Sequence, residues 1–384
     1  MNKELESYLL GREIRQIDIG DAKAMIENKT ILISGGGGSI GSEICRQVAS
    51  CNPKLLIVVE LYENNAYMLQ QELIRKYKDL EFIVLIGSVR DSRRLLSIFK
   101  KYRPDIVIHA AAHKHVPLME DSPTEAVKNN VIGTYKIAYA SMLYGVDRFI
   151  LISTDKAAKP VNIMGSSKRL CEMIIQSFDY VEKNGLQDKL PIIFSHDSTG
   201  EELEEVINPD TITKFCAVRF GNVLGSNGSV VPLFISQIEN GGPITVTHRN
   251  ISRYFISVSE AVSLILKAGL LCNGSEVFEL DMGEPLNIYN LALKLLDYYN
   301  LELGKDIEIE FIGLRPGEKL KEELLDEGGG YNVKFDGTMR IGYPLNFDYF
   351  EFLGKLQDLL NSAFDDEFAI REYLFDIVPE YEKD

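Results

Sequence analysis

Two neighbouring polar segments carry the side chains best suited to proton transfer. The first, Thr154-Asp155-Lys156, follows an apolar run, and the second, Met164-Gly-Ser-Ser-Lys168, comes shortly after it. A carboxyl group and an amine side by side can act as a general acid and a general base, provided that burial or the charge of Lys168 lowers the pKa of Lys156. Met164 cannot share this work, because a thioether is a weak acceptor without an ionisable proton. The segments predict an acid–base site; helix capping with a surface ion pair is the alternative for the first.

A glycine-rich turn offers a different chemistry, the binding of phosphate groups. The segment SGGGGSIG follows the first apolar run and precedes a helical pattern. Glycines let such a turn close tightly against a pyrophosphate, and the helix behind it offers free N–H groups and the positive end of its dipole. This position in the first βαβ unit predicts a dinucleotide site, with a ligand-free glycine turn as the alternative. The expected contacts come from Gly35, Gly38, Ser39, Ile40 and Gly41.

One acidic residue indicates which dinucleotide would bind. Glu60 ends the second apolar run, about 20 residues past the turn, where a carboxylate can accept hydrogen bonds from the adenosine ribose. The same charge would repel a 2′-phosphate, and no Arg or Lys stands beside it in the sequence. We therefore expect NAD rather than NADP; a solvent-facing acid at a strand end is the alternative.

Apolar runs that alternate with helical patterns are expected to position these residues. The predicted strands are Thr30–Ser34, Leu55–Val59, Glu81–Ile86, Asp105–His109, Arg148–Ser153 and Phe215–Phe220. The predicted helices are Ser42–Ser50, Asn65–Lys76, Ser92–Lys101, Thr124–Tyr144 and Met164–Lys183. Continuous apolar strands separated by helices are typical of a parallel sheet covered on both faces. The predicted fold class is α/β, a Rossmann-type doubly wound parallel sheet with a smaller C-terminal substrate-binding lobe.

The same alternation predicts three regions. Residues 1–29 form a helical lead-in, residues 30–221 an NAD-binding domain, and residues 222–384 a substrate-binding lobe with a helical appendage. We expect some exchange of chain between the two lobes. The acidic stretch at about 185–210 is predicted to be a solvated insertion.

Composition excludes several classes of function. A net charge of −16 disfavours nucleic-acid binding, which needs a basic surface. The chain has no apolar run near the roughly 20 residues that span a bilayer, and its N-terminus is charged throughout. The five cysteines and five histidines show no metal-ligand spacing. The expectation is a cytoplasmic protein without a metal or a membrane partner.

Several longer blocks resemble one enzyme family. The blocks are SGGGGSIGSEI (34–44), HAAAHKHVPLMEDSPTEAVKNNVIGT (109–134), STDKAAKPVNIMGSSKR (153–169), VRFGNVLGSNGSVVPLF (218–234), ISRYF (251–255) and GLRPGEKL (313–320). Together they resemble the extended short-chain dehydrogenases/reductases and, within these, the UDP-N-acetylglucosamine 4,6-dehydratases of bacterial polysaccharide biosynthesis. Some relatives carry transmembrane helices before the catalytic domain, so the resemblance here is to a free-standing, soluble form. Met164 occupies the position of the superfamily's tyrosine in YxxxK, as it does in some of these dehydratases.

The resemblance implies a reaction and roles in it. UDP-N-acetylglucosamine would be oxidised at C4, lose water across C5 and C6, and receive the hydride at C6, with NAD as the retained cofactor. Asp155 would protonate O6, Lys156 would take the C5 proton, and Thr154 would contact the C4 hydroxyl and pass its proton to Asp155. Lys168 would reach the nicotinamide ribose.

Further residues are assigned to ligands by the same resemblance. Around the cofactor these are Val89, Ala110, Ala111, Ala112 and Asn130, whereas Ser88 replaces an acid found in many relatives. Around the UDP-sugar they are Lys114, His115, Asn222, Arg253, Arg315 and Glu318. The two arginines would clamp the diphosphate, because guanidinium groups suit bidentate phosphate contacts. A homo-oligomer is expected.

Two other functions stay open. A UDP-sugar 4-epimerase would share the fold and cofactor, although an epimerase needs no acid for water loss, which the Asp155–Lys156 pair would supply. A non-catalytic NAD-binding protein is suggested by Met164 at the tyrosine position.

Overall fold

A computed structural model describes residues 1–190, 211–322, 334–335, 337–342, 347–362 and 369–378. Its strands are β1 (Thr30–Ser34), β2 (Leu55–Glu60), β3 (Phe82–Ile86), β4 (Ile106–His109), β5 (Arg148–Ile152), β6 (Lys214–Arg219), β7 (Asn222–Val223), β8 (Ile244–Val246), β9 (Ser252–Arg253), β10 (Phe255–Ile256), β11 (Val277–Leu280), β12 (Leu286–Asn287), β13 (Ile309–Phe311), β14 (Lys334–Phe335) and β15 (Met339–Gly342).

The described residues also form 14 α-helices, which alternate with the strands over the first two thirds of the chain. They are α1 (Lys3–Leu10), α2 (Gly20–Ile26), α3 (Ser39–Ala49), α4 (Glu63–Lys76), α5 (Ser92–Tyr102), α6 (Val116–Asp121), α7 (Pro123–Ala126), α8 (Gly133–Leu143), α9 (Ile163–Lys183), α10 (Val230–Glu239), α11 (Val258–Leu271), α12 (Ile288–Tyr298), α13 (Tyr349–Ser362) and α14 (Ala369–Ile377). A π-helical turn, Val127–Ile132, joins α7 to α8.

The main sheet has the strand order β14-β15-β11-β6-β5-β4-β1-β2-β3. The pairs from β3 to β11 are parallel, and β14 and β15 are added antiparallel at one edge. Strands β1 and β4 are buried along their whole length, as expected for strands covered by helices on both faces. This sheet confirms the prediction of a doubly wound, Rossmann-type fold.

The order of strands fixes where a ligand can enter. The chain runs outward from β1 through β2 to β3 and then returns to place β4 on the other side of β1. The loops after β1 and β4 therefore diverge and leave a crevice at the carboxyl ends of the strands. Both the glycine turn and the Ala110–Ala112 segment follow these two strands, so they border the same crevice.

A second core lies beside the sheet. It combines α10, α12 and β8 with α1, whose Leu5 and Leu9 are buried in it. Chain from beyond residue 222 also returns to the main sheet as β11, β14 and β15. Residues 191–210, most of the predicted insertion, lie outside the described residues. Across the described helices, none has the length and apolar character needed to cross a bilayer.

Two predicted helices differ from the observed ones. Helix α3 begins at Ser39 rather than Ser42, because Gly38 takes the N-cap position directly after the turn. The predicted helix Thr124–Tyr144 is divided by the π-helical turn Val127–Ile132. Such turns insert one extra residue and are frequent at functional sites.

A buried charge cluster fastens the helix α9 to the sheet. Glu172 accepts hydrogen bonds from Nε and Nη2 of Arg219 at 2.7 and 2.6 Å, and from the hydroxyl of Ser153 at 2.6 Å. Arg169 lies 3.5 Å from the same carboxylate. Three elements therefore meet at one carboxylate, directly below the Thr154–Lys156 segment.

Glu172→Gln is expected to destabilise the protein by about 3 kcal/mol, because it removes the buried negative charge that Arg219 and Arg169 both contact. Urea unfolding followed by circular dichroism measures this difference. The exposed Glu239→Gln serves as a control and should stay within about 0.5 kcal/mol of the wild type. Equal stability of the two variants would contradict the assigned role of the cluster.

Candidate active site

The glycine turn is built so that only glycine fits at two positions. Gly35 has φ +71°, and a Cβ there would lie 2.6 Å from the Cα of Ala111. A Cβ on Gly41 would overlap the carbonyl oxygen of Gly35. The turn and α3 thus pack without side chains between them. Gly38 provides no side-chain cap, so the first N–H groups of α3 are left for a ligand.

Glu60 holds this turn in place. Its Oε2 accepts a hydrogen bond from the N–H of Gly37 at 2.7 Å, and its Oε1 accepts from Leu61 and Tyr62 at 2.8 and 2.9 Å. Each carboxylate oxygen has two lone pairs, so these bonds still leave capacity for a ribose hydroxyl. Glu60 therefore combines a structural role, which the sequence did not reveal, with a place at the end of β2 suited to an adenosine ribose.

Asn130 stands on the π-helical turn and locks the opposite wall of the crevice. Its side chain accepts from the N–H of His113 at 2.8 Å and donates to the carbonyl of His113 and the hydroxyl of Ser167, both at 3.0 Å. The segment after β4 is thereby tied to α9. Val89 packs against Gly133, where a Cβ would lie 2.7 Å from its Cγ2.

His109, at the end of β4, is a buried polar residue that sequence reasoning missed. It bonds the hydroxyl of Ser34 at 2.6 Å and that of Thr134 at 3.0 Å. Burial, with the nearby positive charge of Lys168, lowers the pKa of His109 to about 3. The imidazole is therefore neutral and serves to fix β4 against β1.

The Thr154–Lys156 segment follows β5, and Thr154 caps a short 3₁₀ turn, Asp155–Ala157. The hydroxyl of Thr154 donates to Oδ1 of Asp155 at 2.8 Å, and Nζ of Lys156 lies 3.0 Å from the same oxygen. Asp155 is buried, and its Oδ2 has no hydrogen-bond partner among the described residues. A buried carboxylate oxygen without a donor costs free energy, so a hydroxyl supplied by a ligand would stabilise it.

Gly221 leaves space in front of that oxygen. A Cβ at this position would lie 2.9 Å from Oδ2 of Asp155 and 3.1 Å from the carbonyl oxygen of Tyr254. The neighbouring Asn222 accepts from Nζ of Lys156 at 3.4 Å. Gly221 was not singled out in the sequence, although it stands inside the RFGN block.

Lys156 lies between carboxylates. Its Nζ is 3.0 Å from Asp155 and 3.5 Å from Oε1 of Glu322, whose side chain is 7% exposed. Burial lowers the pKa of Lys156, but these two carboxylates outweigh that effect and raise the pKa above its ordinary value. The expectation of a lowered pKa was therefore wrong for this arrangement. Glu322 was also missed by sequence reasoning.

Met164 and Lys168 are placed one turn apart on α9, and both are buried. Burial lowers the pKa of Lys168. Gly165 brings this helix close, since a Cβ there would overlap the carbonyl oxygen of Lys156. The tyrosine position of the YxxxK pattern is thus filled by a buried, apolar side chain beside the acid–base segment.

The predicted substrate residues divide into two groups. Arg253 is buried on β9 and lies 3.4 Å from Glu322 and 3.5 Å from Glu318. Arg315 is exposed; its N–H, rather than its guanidinium, bonds Glu318 at 3.2 Å. The structure therefore joins Arg253 and Glu318 to Lys156 and leaves the Arg315 side chain at the surface.

Lys114 and His115 lie on the loop after β4 and meet the LGSNGS segment. Nζ of Lys114 donates to the hydroxyl of Ser226 at 3.4 Å, and a Cβ on Gly228 would lie 2.7 Å from the ring of His115. The N–H of Asn227 in turn donates to the hydroxyl of Ser39 at 3.0 Å. The LGSNGS segment therefore links the loop after β4 to the first residue of α3.

Known proteins resemble this chain over most of its length. A family model described as polysaccharide biosynthesis protein matches residues 31–341. The capsular polysaccharide biosynthesis protein CapD of Staphylococcus aureus is 46% identical over 320 residues, which cover 83% of this chain and 49% of that protein. The chain thus spans about half the length of this relative.

Two further relatives match over most of their own length. The UDP-glucose 4-epimerase of Rickettsia rickettsii is 32% identical over 308 residues, covering 78% of this chain and 79% of that protein. The solved structure of Pen from Bacillus thuringiensis is 32% identical and superposes with a TM-score of 0.70 over 84% of this chain and 89% of Pen.

Gly41→Ala is expected to weaken NAD binding at least tenfold, because its methyl group would push α3 away from the carbonyl oxygen of Gly35. Calorimetric titration with NAD measures the affinity. Gly354→Ala on α13 is the matched control, since a Cβ there meets nothing within 4 Å. NAD affinity equal to that of the control would disprove the assigned role of the turn.

Proposed function

The chain belongs to the polysaccharide biosynthesis protein family, and from this premise we propose that it is an NAD-dependent UDP-N-acetylglucosamine 4,6-dehydratase. Its product would be a UDP-4-keto-6-deoxy-N-acetylhexosamine. The family membership accounts for the resemblance of the sequence blocks. The choice of reaction within the family rests on the acid–base segment.

The observation that carries the proposal is the arrangement around Asp155. One of its oxygens accepts from Thr154 and faces Lys156, while the other is buried without a partner in the described chain. Loss of water from C5 and C6 of a 4-ketohexose needs an acid at the leaving hydroxyl and a base at C5. Asp155 and Lys156, joined at 3.0 Å, can supply both in one small volume.

The hydrogen bond from Thr154 to Asp155 provides a path for the C4 proton. The hydroxyl of Thr154 gives its proton to Oδ1 of Asp155 as it accepts the proton of the sugar hydroxyl. Asp155, now protonated, delivers that proton to O6, which leaves as water. Lys156 removes the C5 proton and later returns one to C5. The protons taken from the sugar thus balance those given back to it and to the water.

The glycine turn and Glu60 would hold NAD, and Lys168, which is buried one turn after Met164 on α9, would face the nicotinamide ribose. The chemistry that NAD would supply there is reversible hydride transfer. The positive charge of Lys168 would favour alkoxide character at O4. Arg253 would pair with the diphosphate, and Lys114 and His115 would line the sugar side.

A UDP-sugar 4-epimerase is the second candidate, favoured by the identity with the Rickettsia enzyme. An epimerase must oxidise C4 and return the hydride to the same carbon, which requires no acid at O6. The buried oxygen of Asp155 and the adjacent Lys156 would then have no assigned task. This difference favours the dehydratase.

Incubation with UDP-N-acetylglucosamine in deuterated water, followed by NMR of the nucleotide sugar, tests the proposal. A 4-keto-6-deoxy product with deuterium at C5 is the expected result, because Lys156 exchanges the proton it removes. Formation of UDP-N-acetylgalactosamine would instead establish the epimerase. Retention of NAD without turnover would indicate a binding protein and would reject both enzymatic functions.

Asp155→Asn should slow product formation at least 100-fold, because an amide cannot deliver a proton to O6. Rates of product formation are measured by NMR at saturating substrate. Asp188→Asn, at an exposed aspartate paired with Lys189, is the matched control and should keep the wild-type rate. Wild-type turnover by Asp155→Asn would remove Asp155 from the mechanism.

A further inference from the structure

Glu322 links the acid–base segment to the nucleotide side of the site. Its Oε1 lies 3.5 Å from Nζ of Lys156 and 3.4 Å from Nε of Arg253, so a single oxygen touches both cations. The segment that carries Glu322 is fixed, because the N–H of Ser252 donates to the carbonyl of Leu320 at 3.0 Å. Glu322 is therefore held at this place by the backbone pairing beside Arg253.

A count of protons shows why Lys156 needs such a partner. With the function proposed above, Lys156 must be a neutral amine before it can take the C5 proton. Its two carboxylate neighbours raise its pKa, so it begins each cycle as an ammonium group. Asp155 already receives the C4 proton through Thr154 and must keep it for O6. The ammonium proton therefore has to move to another acceptor.

We propose that Glu322 is a positioning residue for Lys156. Glu322 keeps the Lys156 amine beside the sugar and accepts its ammonium proton during each turnover. In this step an N–H bond of Lys156 breaks and an O–H bond forms on Glu322. Lys156 then takes the C5 proton and returns one of its three ammonium hydrogens to C5, after which Glu322 returns the stored proton. No electrons are exchanged, and no further reactant is needed.

Arg253 connects this step to the binding of the substrate. The charged groups that face Lys156 are Asp155 on its own turn, Glu322 after the RPGE turn and Arg253 on β9. A diphosphate bound to Arg253 competes with Glu322 for the guanidinium group. Glu322 then has Lys156 as its main partner. The acceptor for the proton is thus freed when a nucleotide occupies the site.

The test measures how C5 exchange depends on pH. In wild-type protein the exchange rate with UDP-N-acetylglucosamine in deuterated buffer should be nearly constant between about pH 6.5 and 9, because the proton stays within the site. Glu322→Gln should be at least tenfold slower near pH 7. Its rate should rise about tenfold per pH unit, because Lys156 must then lose its proton to solvent. Lys156→Ala gives the background rate of exchange.

Two further variants separate proton transfer from a structural effect. Glu322→Asp keeps a carboxylate and should restore the flat profile, even at a lower rate. Glu302→Gln removes an exposed carboxylate of the same lobe, paired with Lys305, and should match the wild type. Thermal unfolding and calorimetric binding of UDP verify that each variant is folded and competent to bind.

The outcomes for the two proposals differ. Suppose that the wild type forms product and that the C5 exchange rate of Glu322→Gln depends on pH in the same way as that of the wild type. This result would overturn the role of Glu322 and leave the dehydratase intact. A uniform loss of UDP binding in both Glu322 variants, with unchanged pH dependence, would also overturn it. Absence of any product from the wild type would reject the dehydratase and, with it, the task proposed for Glu322.

Discussion

The site depends on the burial of alternating charges that stay within reach of one another. Asp155, Lys156, Glu322, Arg253 and Glu318 form a row in which each neighbour has the opposite sign. Removing charges from water is costly, and such a row is stable only when every member has a partner. Within this row, Oδ2 of Asp155 is buried and has no hydrogen-bond partner among the described residues. The proposed function assigns the reacting hydroxyl of the substrate to this oxygen.

The sheet provides the rigidity that this row requires. The Glu172–Arg219 pair joins α9 to β6, and Glu172 also holds Ser153, the residue before the Thr154–Lys156 segment. On the other side of the crevice, Glu60 fixes the glycine turn through the N–H of Gly37. Buried carboxylates thus act as anchors at both walls. This use of acids is consistent with a chain whose net charge is −16.

Strands β1 to β6 could be predicted from the sequence because parallel strands leave continuous apolar runs, and β1 matches its predicted bounds. Strands β11, β14 and β15 of the same sheet were not predicted. The π-helical turn at Asn130 could not be predicted. The spacing of apolar residues does not show whether a backbone N–H bonds the carbonyl four or five residues earlier. Glu322 was missed for a different reason. Its partners Lys156 and Arg253 are far away in the sequence, so no local pattern joins them. The prediction of a lowered pKa for Lys156 was wrong for the same reason, because the direction of the shift depends on how many carboxylates the fold brings close to the amine.

The methionine at the tyrosine position is best understood through what surrounds it. Gly165 allows α9 to approach the backbone of Lys156 so closely that the side chain of Met164 is buried. A phenol in YxxxK enzymes offers a proton acceptor at the reacting hydroxyl, and a thioether cannot. Here the hydroxyl of Thr154 donates to Asp155 at 2.8 Å, so a proton accepted by Thr154 could pass to the carboxylate of Asp155. In the proposed mechanism, the acid that receives the C4 proton is also the acid that releases water. One group would then perform both tasks in sequence, so this mechanism needs a second carboxylate beside Lys156. It thereby connects Met164 at the tyrosine position with the presence of Glu322.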